Sequence, residues 1–318
     1  MQILVTGGAG FIGSHVVDRL LALGHRVVAL DDLNNYYNPA FKRKNLAGAL
    51  KNPRFRLVKG DISNLTKVRK TFSDTKPSII IHLAARAGVR PSLKDHFLYQ
   101  RVNVQGTLNM LECARSFKVK KFVFGSTSSV YGTNSKVPFS EEDPLFNIVS
   151  PYAATKLAGE AFCRTYSHLY SMDIAVLRFF SVYGPRGRPD MAVRNFSEKI
   201  LDGKSIDMFG DGSSSRDHTY IDDIVEGIVA ATQKKIGFEI FNLGGSKTTS
   251  LHDLIGLIEK AAGKPAKIKR LPNQAGDVPQ TFADIQKAQR FLGYNPKTPI
   301  EEGIPKFMEW LKKERQKR

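Results

Sequence analysis

The chain has 318 residues, of which 42% are hydrophobic and 25% charged, and 48 lysines and arginines outnumber 30 acidic residues for a net charge of +18. This length supports a substantial core in one large or two smaller domains, and no run of about 18 apolar residues marks a membrane span. The basic charge is dispersed, with short runs at 42–44 and 312–318, and no zinc-finger spacing or aromatic RNA-binding signature accompanies it, so the expected partner is an anionic small molecule and not nucleic acid or a membrane.

In chain order, the apolar strand Gln2–Thr6 leads directly into a glycine-rich turn carrying Gly7, Gly10, Phe11, Ile12 and Gly13, then a helix over 14–23 that stops at Gly24. In such a turn Gly7 permits the tight bend, Gly10 lets a pyrophosphate approach the backbone, and Gly13 lets the helix pack on the strand with its N-terminus toward the phosphates. The spacing is G-x-x-G-x-x-G. Eighteen residues past Gly13, a strand over 26–30 ends in Asp31 and Asp32. A carboxylate there accepts hydrogen bonds from adenosine ribose hydroxyls and repels a 2′-phosphate, which favours NAD over NADP.

Further strands are expected at Phe55–Lys59, 78–83, 121–125 and 173–180, with helices over 65–72, 97–117 and 152–170 between them. Apolar, β-branched strands alternating with helices predict an α/β fold: a doubly wound parallel sheet of Rossmann type. After residue 180 the text turns to Pro185, Gly187 and Pro189, a helix over 193–201, a strand over 206–209 and a polar turn over 210–216. A helix over 221–232 and the strand Phe238–Leu243 read as a return to the main sheet, and the remainder as mainly helical. The expected division is therefore 1–180 with 217–245 as the dinucleotide domain, and 181–216 with 246–318 as a smaller, mainly helical substrate lobe. Because the first residues already form the phosphate-loop strand, no signal peptide is expected, and Cys113 and Cys163, on helices without C-x-x-C spacing, read as reduced thiols of a cytoplasmic protein. His15, His82 and His96 show no metal-ligand spacing, and no metal is expected.

The most informative chemistry is Y-A-A-T-K from Tyr152 to Lys156, with Thr127 at the end of a preceding strand. Residues four apart share a helix face. An ammonium beside a phenol favours the phenolate, making a base able to take a proton from an alcohol while hydride leaves its carbon. Alone, the pair reads as an ordinary amphipathic helix; behind a dinucleotide loop it is far more specific.

With these residues assembled, the chain resembles the extended short-chain dehydrogenase/reductase superfamily over essentially its whole length, and within it the nucleotide-sugar 4-epimerases, the UDP-glucuronate 4-epimerase subgroup above all. The stretch from Arg178 to Ala192, R-F-F-S-V-Y-G-P-R-G-R-P-D-M-A, is similar to that subgroup's R-F-F-T-V-Y-G-P-x-G-R-P-D-M-A, as are the segments 87–90 and 215–223. The resemblance implies a redox-neutral inversion of C4 in a UDP-sugar through a transient 4-keto intermediate, with tightly held NAD. It makes Tyr152 the base, Lys156 the group that lowers its pKa and holds the nicotinamide ribose, and Thr127 a partner at the 4′-oxygen. It puts Phe11 and Ile12 at the pyrophosphate, Asp61 and Ile62 by the adenine, Leu83, Ala84 and Ala85 at the strand end, and Phe179 by the nicotinamide. For the UDP-sugar it implies Arg216, Asp277, Asn242 and Arg90, and for a sugar carboxylate Ser128, Ser129, Ser181 and Arg188. It also implies a homodimer through the helices 97–117 and 152–170.

Where related decarboxylases and dehydratases carry an acid before Val-Tyr-Gly, this chain has Ser129, leaving elimination without a proton carrier. Arg186 and Ser181 stand where the subgroup often has Trp and Thr, and are expected beside the sugar. UDP-glucose/galactose or N-acetylhexosamine epimerisation, decarboxylation, and a non-catalytic NAD-binding regulator are the alternatives left open.

Overall fold

The computed structural model describes residues 1–272 and 278–316. Its strands are β1 Gln2–Thr6, β2 Arg26–Asp31, β3 Phe55–Lys59, β4 Ile79–His82, β5 Lys121–Thr127, β6 Ile174–Phe179, β7 Ser181–Tyr183, β8 Ser205–Phe209, β9 Ser215–Tyr220, β10 Phe238–Leu243, β11 Thr248–Ser250 and β12 Lys267–Leu271. Seven of them form one sheet in the order β10-β6-β5-β4-β1-β2-β3, every pair parallel. The continuous apolar runs arise because both faces are covered. Ile3, Val5, Val27, Ala29, Ile79 and Ile81 feed one core, while Leu4, Val28, Leu30 and Ile80 feed the other. This is the doubly wound fold expected from the sequence. The chain leaves β1 to one side through β2 and β3 and to the other through β4 onward, so the ligand crevice of such a sheet opens at the strand ends between β1 and β4.

Three of the differences from the sequence expectation bear on the site and the substrate lobe. The first helix begins at Phe11, so the phosphate turn is shorter than the polar-to-apolar change at Ser14 suggests; the Ser14 hydroxyl instead donates back to the Phe11 carbonyl at 3.0 Å. The long helix expected over 97–117 contains a π-helical stretch, Gln100–Gln105. There Asn103 accepts from the Arg86 N–H at 2.7 Å and donates to the Arg86 carbonyl at 2.9 Å and to Thr155 Oγ1 at 3.0 Å, tying three segments together at the strand ends. Finally, the expected polar turn over 210–216 runs into β9, whose polar residues hid its alternation. Asp217 and Thr219 are buried, and β9 joins β7 and β11 in a small sheet while β8 pairs with β12 in another. Among the described residues no helix is long and apolar enough to cross a membrane.

Candidate active site

At the C-terminal end of β1 the turn requires glycine at Gly7 and Gly13. Gly7 has φ +68°, and a Cβ there would lie 2.9 Å from the Ala84 backbone; at Gly13 a Cβ would sit 2.1 Å from the Gly7 carbonyl oxygen. Asp31, at the end of β2, is buried, and its carboxylate accepts from the Ala9 N–H at 3.0 Å and the Leu33 N–H at 2.8 Å, bracing the turn from below. Burial raises its pKa, and the Lys42 ammonium and those N–H groups work against the rise.

A cleft of about 1650 Å³, counting its open mouth, runs from this turn across the sheet edge. Gly7, Gly10, Phe11, Ile12, Gly13, Asp31, Asp32, Asp61 and Ile62 line one end, and Leu83, Ala84 and Ala85 its middle. At the other end it is lined by Thr127, Ser128, Ser129, Tyr152, Lys156, Phe179, Ser181 and Arg188. One crevice therefore collects both motifs.

Tyr152 stands in the first turn of the helix Pro151–Tyr170, which starts where Ser150 accepts from the Ala153 N–H and Pro151 occupies a first-turn position. Its ring packs edge-on against Tyr99, with centroids 6.2 Å apart. The Thr127 hydroxyl is itself placed by the Ser129 N–H, which donates to it at 3.1 Å. Burial raises the Tyr152 pKa, and the charge that works against this is that of Arg188, with the Thr127 hydrogen bond adding to it. Lys156, one turn on, is buried with Nζ 4.2 Å from the Phe124 ring centroid, and burial lowers its pKa to about 8. In this arrangement Arg188 is the charge that lowers the phenol pKa, while Lys156 Nζ lies against the Phe124 ring.

Behind the serines lies a buried ion pair. Arg178 Nη2 donates to Glu160 Oε2 at 2.7 Å, Nε to Oε1 at 3.1 Å, and Ser126 donates to the same carboxylate at 2.5 Å. Arg178 also reaches the Tyr131 hydroxyl at 2.9 Å, which donates to Asn242 Oδ1 at 2.7 Å. Asn242 is completely buried, its amide donating to the Phe139 and Asp284 carbonyls at 2.9 and 3.0 Å. This corrects the expectation that Asn242 contacts substrate: every polar atom of its side chain is engaged in holding β10 to its neighbours. Arg186 is corrected as well. It adopts φ +62° and pairs with Asp18 at 2.7 Å on the first helix, away from the cleft lining.

Arg90 and Arg216 lie in a second cavity of about 1130 Å³, with Asp190, Phe209 and His218 also in its lining. The Arg90 guanidinium stacks 4.7 Å from the Phe209 centroid, and Arg216 Nη1 donates to the Ser215 carbonyl at 2.8 Å. Asp277 lies outside the described residues. Sequence reasoning missed Arg86, Tyr36 and Lys42, which also line the first cleft. Arg86 Nε is buried with no protein partner, and Lys42 is a buried ammonium beside Asp31. The signal for Arg86 was its place directly after the β4 strand end, at the switch point.

The NAD dependent epimerase/dehydratase family model matches residues 3–244. The chain belongs to this family. Among its relatives, a UDP-glucuronate 4-epimerase from Thermodesulfobacterium geofontis is 45% identical over 310 residues, covering 97% of this chain and 95% of that one. The crystal structure of UDP-glucuronic acid 4-epimerase from Bacillus cereus, in complex with UDP-glucuronic acid and NAD, superposes with a TM-score of 0.93 at 39% identity over 98% of this chain and 99% of that one. A UDP-glucose 4-epimerase from Thermotoga maritima with UDP-glucose gives a TM-score of 0.91 at 35% identity, over 99% of each chain. Membership in the epimerase/dehydratase family accounts for the coincidence of glycine turn, Thr127 and Tyr152 in one crevice.

Proposed function

We propose that this protein is an NAD-dependent UDP-sugar 4-epimerase that interconverts UDP-glucuronate and UDP-galacturonate. The observation that carries the reading is the single cleft joining the glycine turn to Thr127, Tyr152, three serines and Arg188. The residues fit NAD: Gly7 and Gly13 leave no room for a Cβ beside the neighbouring backbone, Asp31 and Asp32 stand where ribose hydroxyls are met, and Arg86 Nε is a buried donor in need of an acceptor. Bound NAD supplies a hydride acceptor that returns hydrogen to the same sugar carbon.

The chain's own residues do the rest. Tyr152 takes the 4′-hydroxyl proton and returns it, and Thr127 shares the hydrogen bond to that oxygen. Lys156, an ammonium below about pH 8, holds the nicotinamide ribose. Phe11, Ile12, Asp61, Ile62, Leu83, Ala84, Ala85 and Phe179 form the walls of the dinucleotide site. Arg90 and Arg216, with Asp277, hold the UDP part in the substrate lobe, so binding energy from the nucleotide retains a 4-keto sugar that must turn over. Ser128, Ser129, Ser181 and Arg188 receive a carboxylate, and Ser129 supplies no acid for decarboxylation. A second reading, a neutral UDP-hexose as substrate, draws on the similarity to the UDP-glucose enzyme. Two buried free cysteines suit a reducing cytoplasm, and exposed Phe97 and Leu169, on the helices 97–117 and 152–170, suit a homodimer through those helices.

Incubation with UDP-glucuronate, then separation and mass analysis, tests the reading. A new UDP-uronate of unchanged mass is expected with the wild-type protein, and loss of turnover by at least about a thousandfold with Tyr152→Phe while NAD stays bound. Release of carbon dioxide would overturn it.

A further inference from the structure

The first cleft and the second cavity meet at a junction of three residues. Arg188 and Tyr36 line the cleft, and Asp190 lines the cavity. Arg188 Nε donates to Asp190 Oδ1 at 3.0 Å and Nη2 to Oδ2 at 2.9 Å. Both donors belong to one edge of the guanidinium, which leaves the Nη1 edge as a second fork of matching geometry. Tyr36 completes the junction: its hydroxyl lies 2.9 Å from the Ala87 carbonyl oxygen and 3.3 Å from Asp190 Oδ2, and its ring centroid lies 5.7 Å from the Arg188 guanidinium carbon. Around the sugar end of the cleft, Thr127, Ser128, Ser129, Tyr152 and Ser181 carry hydroxyls, Lys156 is turned onto Phe124, and Arg188 is the cation that faces the phenol.

We propose that Asp190, braced by Tyr36, is a positioning residue for uronate recognition: it grips one edge of Arg188 so that the other edge meets the C6 carboxylate of the sugar. The inference rests on the uronate reading of the site and adds to it the residue that makes Arg188 selective. A guanidinium on a loop loses rotamer freedom when it binds an anion, and a carboxylate clamp removes that loss beforehand. A hexose with a neutral C6 hydroxymethyl forms no charge-assisted pair there, so the clamp acts on the acid alone. Asp190 touches the reacting sugar only through Arg188.

The test compares KM and kcat for UDP-glucuronate with the Kd for UDP in the wild-type protein, Asp190→Asn and Tyr36→Phe. Asp190→Asn is expected to raise KM about tenfold and Tyr36→Phe about threefold, in each case by clearly more than the UDP Kd changes. A merely structural role weakens UDP binding by the same factor as KM; that result, or an unchanged KM, overturns the proposal. If Asp190→Asn does not fold, Tyr36→Phe decides by the same criteria. A wild-type protein that leaves UDP-glucuronate unconverted brings down the uronate reading and this proposal with it, whereas the other adverse results leave that reading standing.

Discussion

The two ends of the first cleft are held by different means. At the glycine turn, main chain meets main chain: Gly7 N–H donates to the Leu30 carbonyl at 2.8 Å, Gly10 N–H to the Gly7 carbonyl at 3.0 Å, and Asp31 accepts from two backbone N–H groups. At the serine end, side chains hold side chains: Thr127 with Ser129, Arg188 with Asp190, and Asp190 with Tyr36. A backbone cradle has one shape and suits a ligand that stays put. A site of hydroxyls and one clamped guanidinium can exchange partners, as a sugar presenting both faces to the same atoms requires.

Breaking the rigid end should have the largest effect. Gly13→Ala places a Cβ 2.1 Å from the Gly7 carbonyl oxygen and 2.8 Å from its carbon, both backbone atoms that cannot rotate aside. We expect NAD affinity to fall by at least about a hundredfold and the thermal midpoint to drop by several degrees, read by cofactor titration and a melting curve. Next comes the pair that supports the flexible end. Glu160→Gln leaves Arg178, 2% exposed, without its counter-charge, for an expected loss of about 3–5 kcal/mol in denaturant unfolding. A smaller loss would mean that Tyr131 and Ser126 alone suffice to hold β6 against the Tyr152 helix.

The histidines sharpen the comparison through pH. His82, fully buried under the rigid end between Thr6 Oγ1 at 2.7 Å and Thr107 Oγ1 at 3.1 Å, has its pKa lowered by burial, and secondarily by Lys156, to about 3. The unfolded chain takes up this proton near pH 6.5 and the folded one does not until about pH 3, so stability is full above pH 6.5 and is lost as pH falls through that window. One such group contributes a slope of about 1.4 kcal/mol per pH unit. His82→Gln should remove that slope between pH 6 and 4, measured as unfolding free energy against pH. His218, at the second cavity, is lowered to about 4 chiefly by burial and keeps its own acid-side loss in the same variant. An unchanged slope would show that His82 is already charged in the folded protein.

Legibility in the sequence followed the same divide. The glycine turn, Asp31 and the order of strands could be read because each follows from a steric or period-two rule that acts within a few residues. Thr127, Tyr152 and Lys156 could be read as types, yet their surroundings could not: spacing places Lys156 on the Tyr152 face of a helix, while only the packing shows its ammonium against Phe124 and the charge of Arg188 acting on the phenol. Asn242 looked like a polar residue at a strand end. Only the tertiary arrangement shows that Tyr131, Phe139 and Asp284 exhaust it. Arg186 shares a motif with Arg188 but, two residues away on a turn, points to Asp18. Strand β9 escaped notice because a buried Asp217 satisfied by the Gly245, Ser246 and Ala283 N–H groups carries no hydrophobic signature.

The smallest expected effect lies at Ser181, where β7 begins beside Phe179 and Phe180 and lines the cleft next to Arg188. Serine there contributes one hydroxyl and little volume, so a carboxylate and a hydroxymethyl both fit and the choice between them falls to Arg188. Asparagine at this position has a larger amide that brings an acceptor as well as donors. Ser181→Asn therefore crowds the C6 end and turns a carbonyl oxygen toward an anion without touching Tyr152 or the glycine turn. We expect the ratio of the KM for UDP-glucuronate to the inhibition constant of UDP-glucose to rise about fivefold, with kcat changed less than the ratio. If the ratio stays put, the serine end is more adaptable than its hydrogen bonds suggest, and discrimination between acid and neutral sugar belongs to the Arg188–Asp190 clamp alone.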